Sequence, residues 1–402
     1  MMGLFMLSNL RSVFVFIFVL AFSSSGYLEL EETFPAFAEY YWFVLLFGAA
    51  LFFLITQPDE TLGNLRLEHI LWLLFYTLTL VIAFILSSRS EVVMLFLITL
   101  VKAFSAMIFL MLLITDKQSQ KGALWALVLV IIISSFNNVY EFFDESVGWS
   151  AIPGRAAGWH FNPNKSGNTI VMSLIFAGVL VSRKFFWPLV IIATIGTIVT
   201  FSRTSWLILF IVVAGLSIIR SAPLDKPLNL LNFSAGKFIG MIISAIIAGG
   251  FIVMIYSGEA YEMMKGTPVE GYLNADTLHR ISGGTEDGST SERKHVVIEA
   301  LKLGLVNPLF GSGLGASIEW DEAVAPHNEF AMVFAERGMF GLVIYLWLYI
   351  IVWTQAGRYG KLYVLIVAIA SLASHNHLDT PAVLFFFVLA LFIKDEDFPI
   401  KT

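Results

Sequence analysis

Long unbroken apolar runs, separated by short polar connections, set the architecture of this chain before any motif is read. The runs fall near residues 2–22, 39–55, 67–87, 92–114, 121–137, 167–182, 184–201, 203–219, 237–256, 327–354, 360–374 and 379–394. Crossing the roughly 30 Å of bilayer hydrocarbon takes about 20 apolar residues as a helix, so the pattern predicts about twelve transmembrane helices. The runs lack the period-two alternation of barrel strands. The fold class expected is therefore all-α: one integral membrane domain over 1–402, with a large polar insertion over 257–326 that contains a helix near 290–304.

Composition supports this reading. The chain is 58% hydrophobic and only 13% charged, far from the balance of a soluble globular domain. It has no cysteine, which removes disulfides, thiolate nucleophiles and thiolate metal sites together. The net charge of -6 is small and scattered, so no nucleic-acid partner is expected; membrane lipids are. Charge matters more through its placement. Arg66, Lys117, Lys121, Arg183, Lys184, Arg220, Lys226, Lys237, Arg358, Lys361 and Lys394 occupy alternate connections or the C-terminal tail, which assigns those to the cytoplasm. The first connection, with Glu29, Glu31 and Glu32, and the 257–326 insertion then face outward, and both termini face inward. Arg11, the apolar run to Phe22 and Ser23-Ser24-Ser25-Gly26 resemble a secretory signal. The apolar stretch extends back to Leu4, and an uncleaved first helix is expected.

Polar chemistry gathers on the outward side. The connection from Asn138 to Ser166 carries Arg155, His160 and Lys165 in a Gly- and Asn-Pro-containing turn, where they fit either anion or sugar contacts or a Trp-bearing interfacial anchor. In the large insertion, Ser289-Thr290-Ser291-Glu292 reads as a capping box, followed by an apolar stripe of Val296, Val297, Ala300 and Leu301. Arg293 falls on that face in the first turn, where a cation opposes the helix dipole. A bound anion would explain it, as would an Arg snorkelling from a helix packed on the bundle. From Phe185 to Ile218 the chain is apolar except at Ser202-Arg203-Thr204-Ser205. One helix there would be about 50 Å long, so a hairpin with its tip at those residues is expected, with Arg203 at the membrane boundary. An Arg between two apolar helices is a functional-site candidate, or else a snorkelling interfacial residue.

Pro326-His327-Asn328-Glu329 marks the point where the polar insertion ends and an apolar helix begins. A titratable ring therefore sits at the mouth of a membrane interior. About 13 Å further along that helix lie Glu336 and Arg337, and Lys102 sits mid-run in another helix; buried ions need partners, so a structural ion pair of Glu336 with Arg337 or Lys102 is expected. Gly338 and Gly341 would let another helix approach closely. Gly311-Ser312-Gly313-Leu314-Gly315 lacks the strand and Lys of a P-loop and reads as a turn leading back to the membrane.

Taken in order, Ser202-Arg203-Thr204, Arg293, Asn307-Pro308-Leu309-Phe310-Gly311-Ser312-Gly313, and Pro326-His327-Asn328 entering Glu336-Arg337-Gly338-Met339-Phe340-Gly341 resemble the O-antigen ligase/polymerase superfamily. The resemblance covers residues 150–355 in motif detail. It implies a GT-C-type, metal-independent glycosyltransferase with no cofactor, acting on undecaprenyl-pyrophosphate-linked glycans at the periplasmic face of the bacterial inner membrane. Topology is closest to the lipopolysaccharide ligases, which join O-antigen to lipid A-core oligosaccharide. O-antigen polymerases and protein O-oligosaccharyltransferases share much of the plan.

The residue types suit such chemistry. A planar, permanently charged Arg fork binds phosphate oxygens in pairs, which fits Arg203 and Arg293 to a pyrophosphate leaving group. Imidazole titrates near neutral pH, which fits His327 as the base, with Asn328, Arg155, His160 and Lys165 as substrate contacts. A lipid or solute transporter is the competing class, because it too would bury Glu336, Arg337 and Lys102 near the midplane.

Overall fold

The computed structural model describes residues 2–33, 39–152, 154–221, 288–320, 325–374 and 377–398. Among them all regular structure is helical, as the unbroken apolar runs require. In chain order the α-helices are α1 (Met2–Ser23), α2 (Gly26–Thr33), α3 (Glu39–Thr56), α4 (Pro58–Leu62), α5 (Leu67–Leu86), α6 (Glu91–Leu113), α7 (Lys117–Phe143), α8 (Pro163–Leu180), α9 (Arg183–Ile198), α10 (Arg203–Ser221), α11 (Gly288–Val306), α12 (Glu329–Gln355), α13 (Arg358–Ser371) and α14 (Pro381–Phe392).

The chain is a polytopic helical membrane protein. Among the described residues, six helices are long and apolar enough by length and composition to cross a membrane, within α1, α5, α6, α7, α10 and α12. The other expected segments that are described, α3, α8, α9, α13 and α14, are helices of 12 to 18 residues. The segment expected at 237–256 lies outside the described residues. Large apolar side chains such as Leu74, Ile85, Leu95, Phe185 and Ile191 remain exposed, as a lipid-facing surface demands.

The helices cluster into two compact units, each considered by itself. In the first, formed by Met1–Ala126 and Gly288–Asp397, α14 is the centre. It is buried along nearly its whole length, with Phe385, Phe386 and Phe387 inaccessible, so a helix only 12 residues long needs no match to lipid thickness. Near the middle of α1, Arg11 is fully buried. Its guanidinium donates to Gln57 Oε1 at 2.7 Å, Thr61 Oγ1 at 3.3 Å and Thr115 Oγ1, stands 3.7 Å from the carboxylates of Glu60 and Asp116, and covers the Phe53 ring at 4.7 Å. A buried cation is tolerable only with such a set.

Helix α12 is two helices joined at Gly338, whose φ of 62° and ψ of -163° are non-helical. That break frees carbonyls on one side and amides on the other. The Asn307–Gly315 turn supplies both. Ser312 N–H donates to Ala335 O at 2.8 Å and Gly313 N–H to Glu336 O at 3.2 Å, while Met339 N–H donates to Pro308 O at 2.8 Å and Phe340 N–H to Leu309 O at 3.1 Å. The close approach expected at Gly338 is therefore made by a turn and not by a helix. The same turn reaches α5, where Leu314 N–H donates to Ala83 O at 2.9 Å.

In the second unit, described over 127–221, α8 is buried on every face and packs against both α9 and α10. The hairpin expected from the length of the 185–218 run is present, but its turn is 199–202 and Arg203 already opens α10. Thr200 and Phe201 close the turn through N–H bonds back to Thr197 O and Ile198 O, so helical pairing ends earlier than the polar cluster suggested.

Gly338→Ala should be severely destabilising. Its φ/ψ region is essentially open to Gly alone, and a Cβ there would stand 2.5 Å from the Leu309 backbone; a loss of about 3 kcal/mol or more is expected. Gly48→Ala, where a Cβ meets nothing within 4 Å, should be neutral or slightly stabilising. Thermal unfolding of the two purified variants in detergent checks the contrast.

Candidate functional site

In the second unit the C-terminal ends of α7 and α9 meet the N-terminal ends of α8 and α10. Glu141, buried in the last turn of α7, organises the connection that follows: its carboxylate accepts N–H bonds from Ala157 at 2.7 Å, Gly158 at 2.8 Å and Ser150. Asn138, one turn earlier, joins Ser166 Oγ at 2.8 Å and Gly196 O at 3.0 Å. Asn162 caps α8 by accepting from Asn164 and Lys165 N–H, and Pro163 at the first helical position needs no partner.

This framework places three of the expected cations. Arg155 donates from Nε to Thr200 O at 3.0 Å and from Nη2 to Asn164 Oδ1 at 2.9 Å, so it fastens the connection to the hairpin turn. Arg203 is exposed at the first position of α10, and Lys165 is half-buried in the first turn of α8. His160 is different in kind. It is buried, with Nε2 3.2 Å from Ser134 Oγ, and burial, helped by the positive Lys165, lowers its pKa to about 3. Near neutral pH it is an uncharged hydrogen-bond partner. The Trp149 and Trp159 rings of the same connection meet edge to face at 6.4 Å.

In the first unit, His327 is half-buried in the turn before α12. Asn328 is the N-cap, its Oδ1 accepting from Ala331 N–H at 2.9 Å. Helix α11 runs along the first turns of α12 through Ala300, Ala331 and Ala335, with Val297, Leu303 and Trp320 around them. The expected stripe shifts accordingly: Val296 and Ala300 are buried, whereas Leu301 is exposed, because the face centred on 296, 300 and 303 turns 301 about 100° away. Arg293 belongs to α11 by its backbone; its side chain, like those of Ser289 and Glu292, lies outside the described residues.

Glu336 and Arg337 interact electrostatically, but the hydrogen bonds of the two groups go to other partners. Ser317 Oγ donates to Glu336 Oε1 at 2.8 Å, and Arg337 Nη1 donates to Tyr76 OH at 3.4 Å with its guanidinium over that ring. Consecutive helical residues diverge by about 100°, and each buried group finds its own partner. Lys102 is half-buried.

Three residues with evident structural grip were not singled out from sequence: Glu141, Glu329 and His377. Glu329 is fully buried and accepts His377 N–H at 3.1 Å. A signal existed for Glu141 and His377: Ser134, Asn138 and Glu141 recur at helical spacing on an otherwise apolar helix, and His375-Asn376-His377 falls in a polar connection between two apolar runs. Among the described residues no three His, Asp or Glu side chains gather into a set that could ligate a metal ion.

Residues 188–346 match the family model for O-antigen ligase. Over that stretch the chain is similar to the O-antigen ligase superfamily. The matched segment includes Arg203, Arg293, His327, Asn328, Glu336 and Arg337, while Arg155, His160, Lys165, Lys102 and His377 lie outside it. No curated protein matches the chain.

The lowered pKa of His160 makes stability depend on pH. The unfolded state takes up a proton below the ordinary value of 6.5 and the folded state does so only near 3, so stabilisation from the neutral ring is present above pH 6.5 and lost as pH falls toward 3. The folded chain should be about 2 kcal/mol less stable at pH 5 than at pH 7 from this group. Thermal unfolding across that range should show the slope in the native chain and a shallower one in His160→Gln.

Proposed function

We propose that this membrane enzyme is an O-antigen ligase: a GT-C-type, inverting, metal-independent glycosyltransferase of about twelve spans in the bacterial inner membrane, with cytoplasmic termini and a periplasmic active site. It moves the glycan of an undecaprenyl-pyrophosphate donor onto lipid A-core oligosaccharide. The carrying observation is the O-antigen ligase match over 188–346, which takes in Arg203, Arg293 and His327 in that order.

The chemistry assigns each group a role. His327 takes the proton of the acceptor hydroxyl as its oxygen bonds to the anomeric carbon. The bond from that carbon to the pyrophosphate oxygen breaks, and the lipid pyrophosphate leaves with the electron pair. Direct displacement inverts the anomeric centre. Arg203 and Arg293 hold the departing charge through their planar forks. Arg155, Lys165 and Asn328 contact the donor and acceptor as charged or amide groups, and His160 does so through its neutral ring. The loop helix α11 serves as a cover and not as a separate domain, since its apolar stripe packs on α12.

The test is turnover by the purified chain with an undecaprenyl-pyrophosphate glycan and lipid A-core oligosaccharide. Ligated product is expected. His327→Ala should lower turnover by about 1,000-fold with donor still bound, and wild-type-like turnover across neutral pH would remove it as the base. Arg203→Lys and Arg293→Lys, which keep charge but lose the fork, should each cost about 100-fold; retention of both rate and donor affinity would withdraw that Arg. Elongation of donor on donor would instead mark a polymerase, and lipid movement without product a transporter.

A further inference from the structure

We propose that Glu329 and His377 are positioning residues that aim His327, an inference that rests on reading His327 as the base. Three observations carry it. First, Glu329 is 0% exposed and His377 2%. A buried carboxylate is expensive without specific partners, and an exposed acid in the first turn would serve the helix dipole as well. Second, Glu329 Oε2 accepts the His377 backbone N–H at 3.1 Å and stands 3.7 Å from His377 Nδ1. Third, the pair is backed by a polar network inside an apolar bundle. His377 Nδ1 is 3.3 Å from Ser371 Oγ, which lies 3.2 Å from Tyr345 OH and 3.0 Å from Tyr349 OH. Those two hydroxyls are 2.8 Å apart.

The consequence for His327 follows from chain connectivity. Asn328 Nδ2 donates to Leu372 O at 3.4 Å while its Oδ1 caps α12. Both residues after His327 are therefore fixed to residues that follow α13, Asn328 to Leu372 and Glu329 to His377. A ring attached immediately before two anchored residues has little backbone freedom, and a displacement near 1 Å at a reacting group costs about 100-fold in rate. His377 lies beyond residue 346, where the family match ends, so this support comes from a part of the chain that the match does not reach.

The test compares Glu329→Ala with Glu329→Gln in the full chain. The Gln side chain keeps an acceptor for His377 N–H, and its NH₂ takes the place of Oε1, which is buried without a hydrogen-bond partner among the described residues. Glu329→Ala should lower kcat about 100-fold with donor KM changed less than about twofold, and Glu329→Gln should recover to within about tenfold of wild type. Hydrogen exchange at the His377 amide and across 326–331 should quicken in the Ala variant and stay slow in the Gln variant. Wild-type kcat in Glu329→Ala, a change confined to KM, unchanged exchange, or a Gln variant as inactive as Ala would each overturn the proposal. If the native chain transfers no glycan, the functional reading fails, and the exchange comparison still decides whether Glu329 holds this turn.

Discussion

Inside a bilayer a backbone polar group has no water to fall back on, so a helix can be broken only where protein replaces the lost partners. The break at Gly338 meets that demand with unusual economy of chain. One turn, Asn307–Gly315, donates two N–H groups to the upstream half of α12 and offers two carbonyls to the downstream half. The turn must come close to do so, and a Cβ on Gly311, at φ 77°, would have no room against the Glu336–Arg337 backbone. Much else hangs from this contact. It fixes the end of α11, links to α5 through Leu314, and sets the register in which Glu336 reaches Ser317 and Arg337 reaches Tyr76.

Buried carboxylates perform a related task at helix ends. Glu141 gathers three amides of the connection after α7, and Glu329 gathers the His377 amide at the start of α12. A carboxylate accepting backbone N–H groups can order a loop without helical or strand pairing, which lets candidate site residues occupy connections whose geometry is nonetheless fixed. Arg155 works the same way in reverse, donating to a carbonyl of the hairpin turn.

What could be read from sequence follows from the range of the interaction involved. Apolar runs are local, and eleven of the twelve expected segments coincide with described helices. The hairpin before Arg203 followed from length alone, since no single span can hold that run. Its turn was misplaced by a few residues because the decision lay in backbone bonds at Thr200 and Phe201. Partners of buried ions were not legible. Glu336 and Arg337 are adjacent in sequence and interact electrostatically, but their hydrogen-bond partners, Ser317 and Tyr76, come from distant segments. Glu329 stood in view within Pro326-His327-Asn328-Glu329, yet its significance depends on His377, 48 positions away.

The Arg11 cluster has a consequence for how the chain is made. Its acceptors are Gln57, Thr61 and Thr115, the last of them 104 positions downstream. During synthesis α1 therefore enters the bilayer carrying a guanidinium whose permanent partners do not yet exist. Until the α6–α7 connection emerges, that charge must be held by water or lipid headgroups at the membrane surface. Insertion of α1 is thus provisional at first, and its final depth is settled only when the later helices arrive to receive the charge.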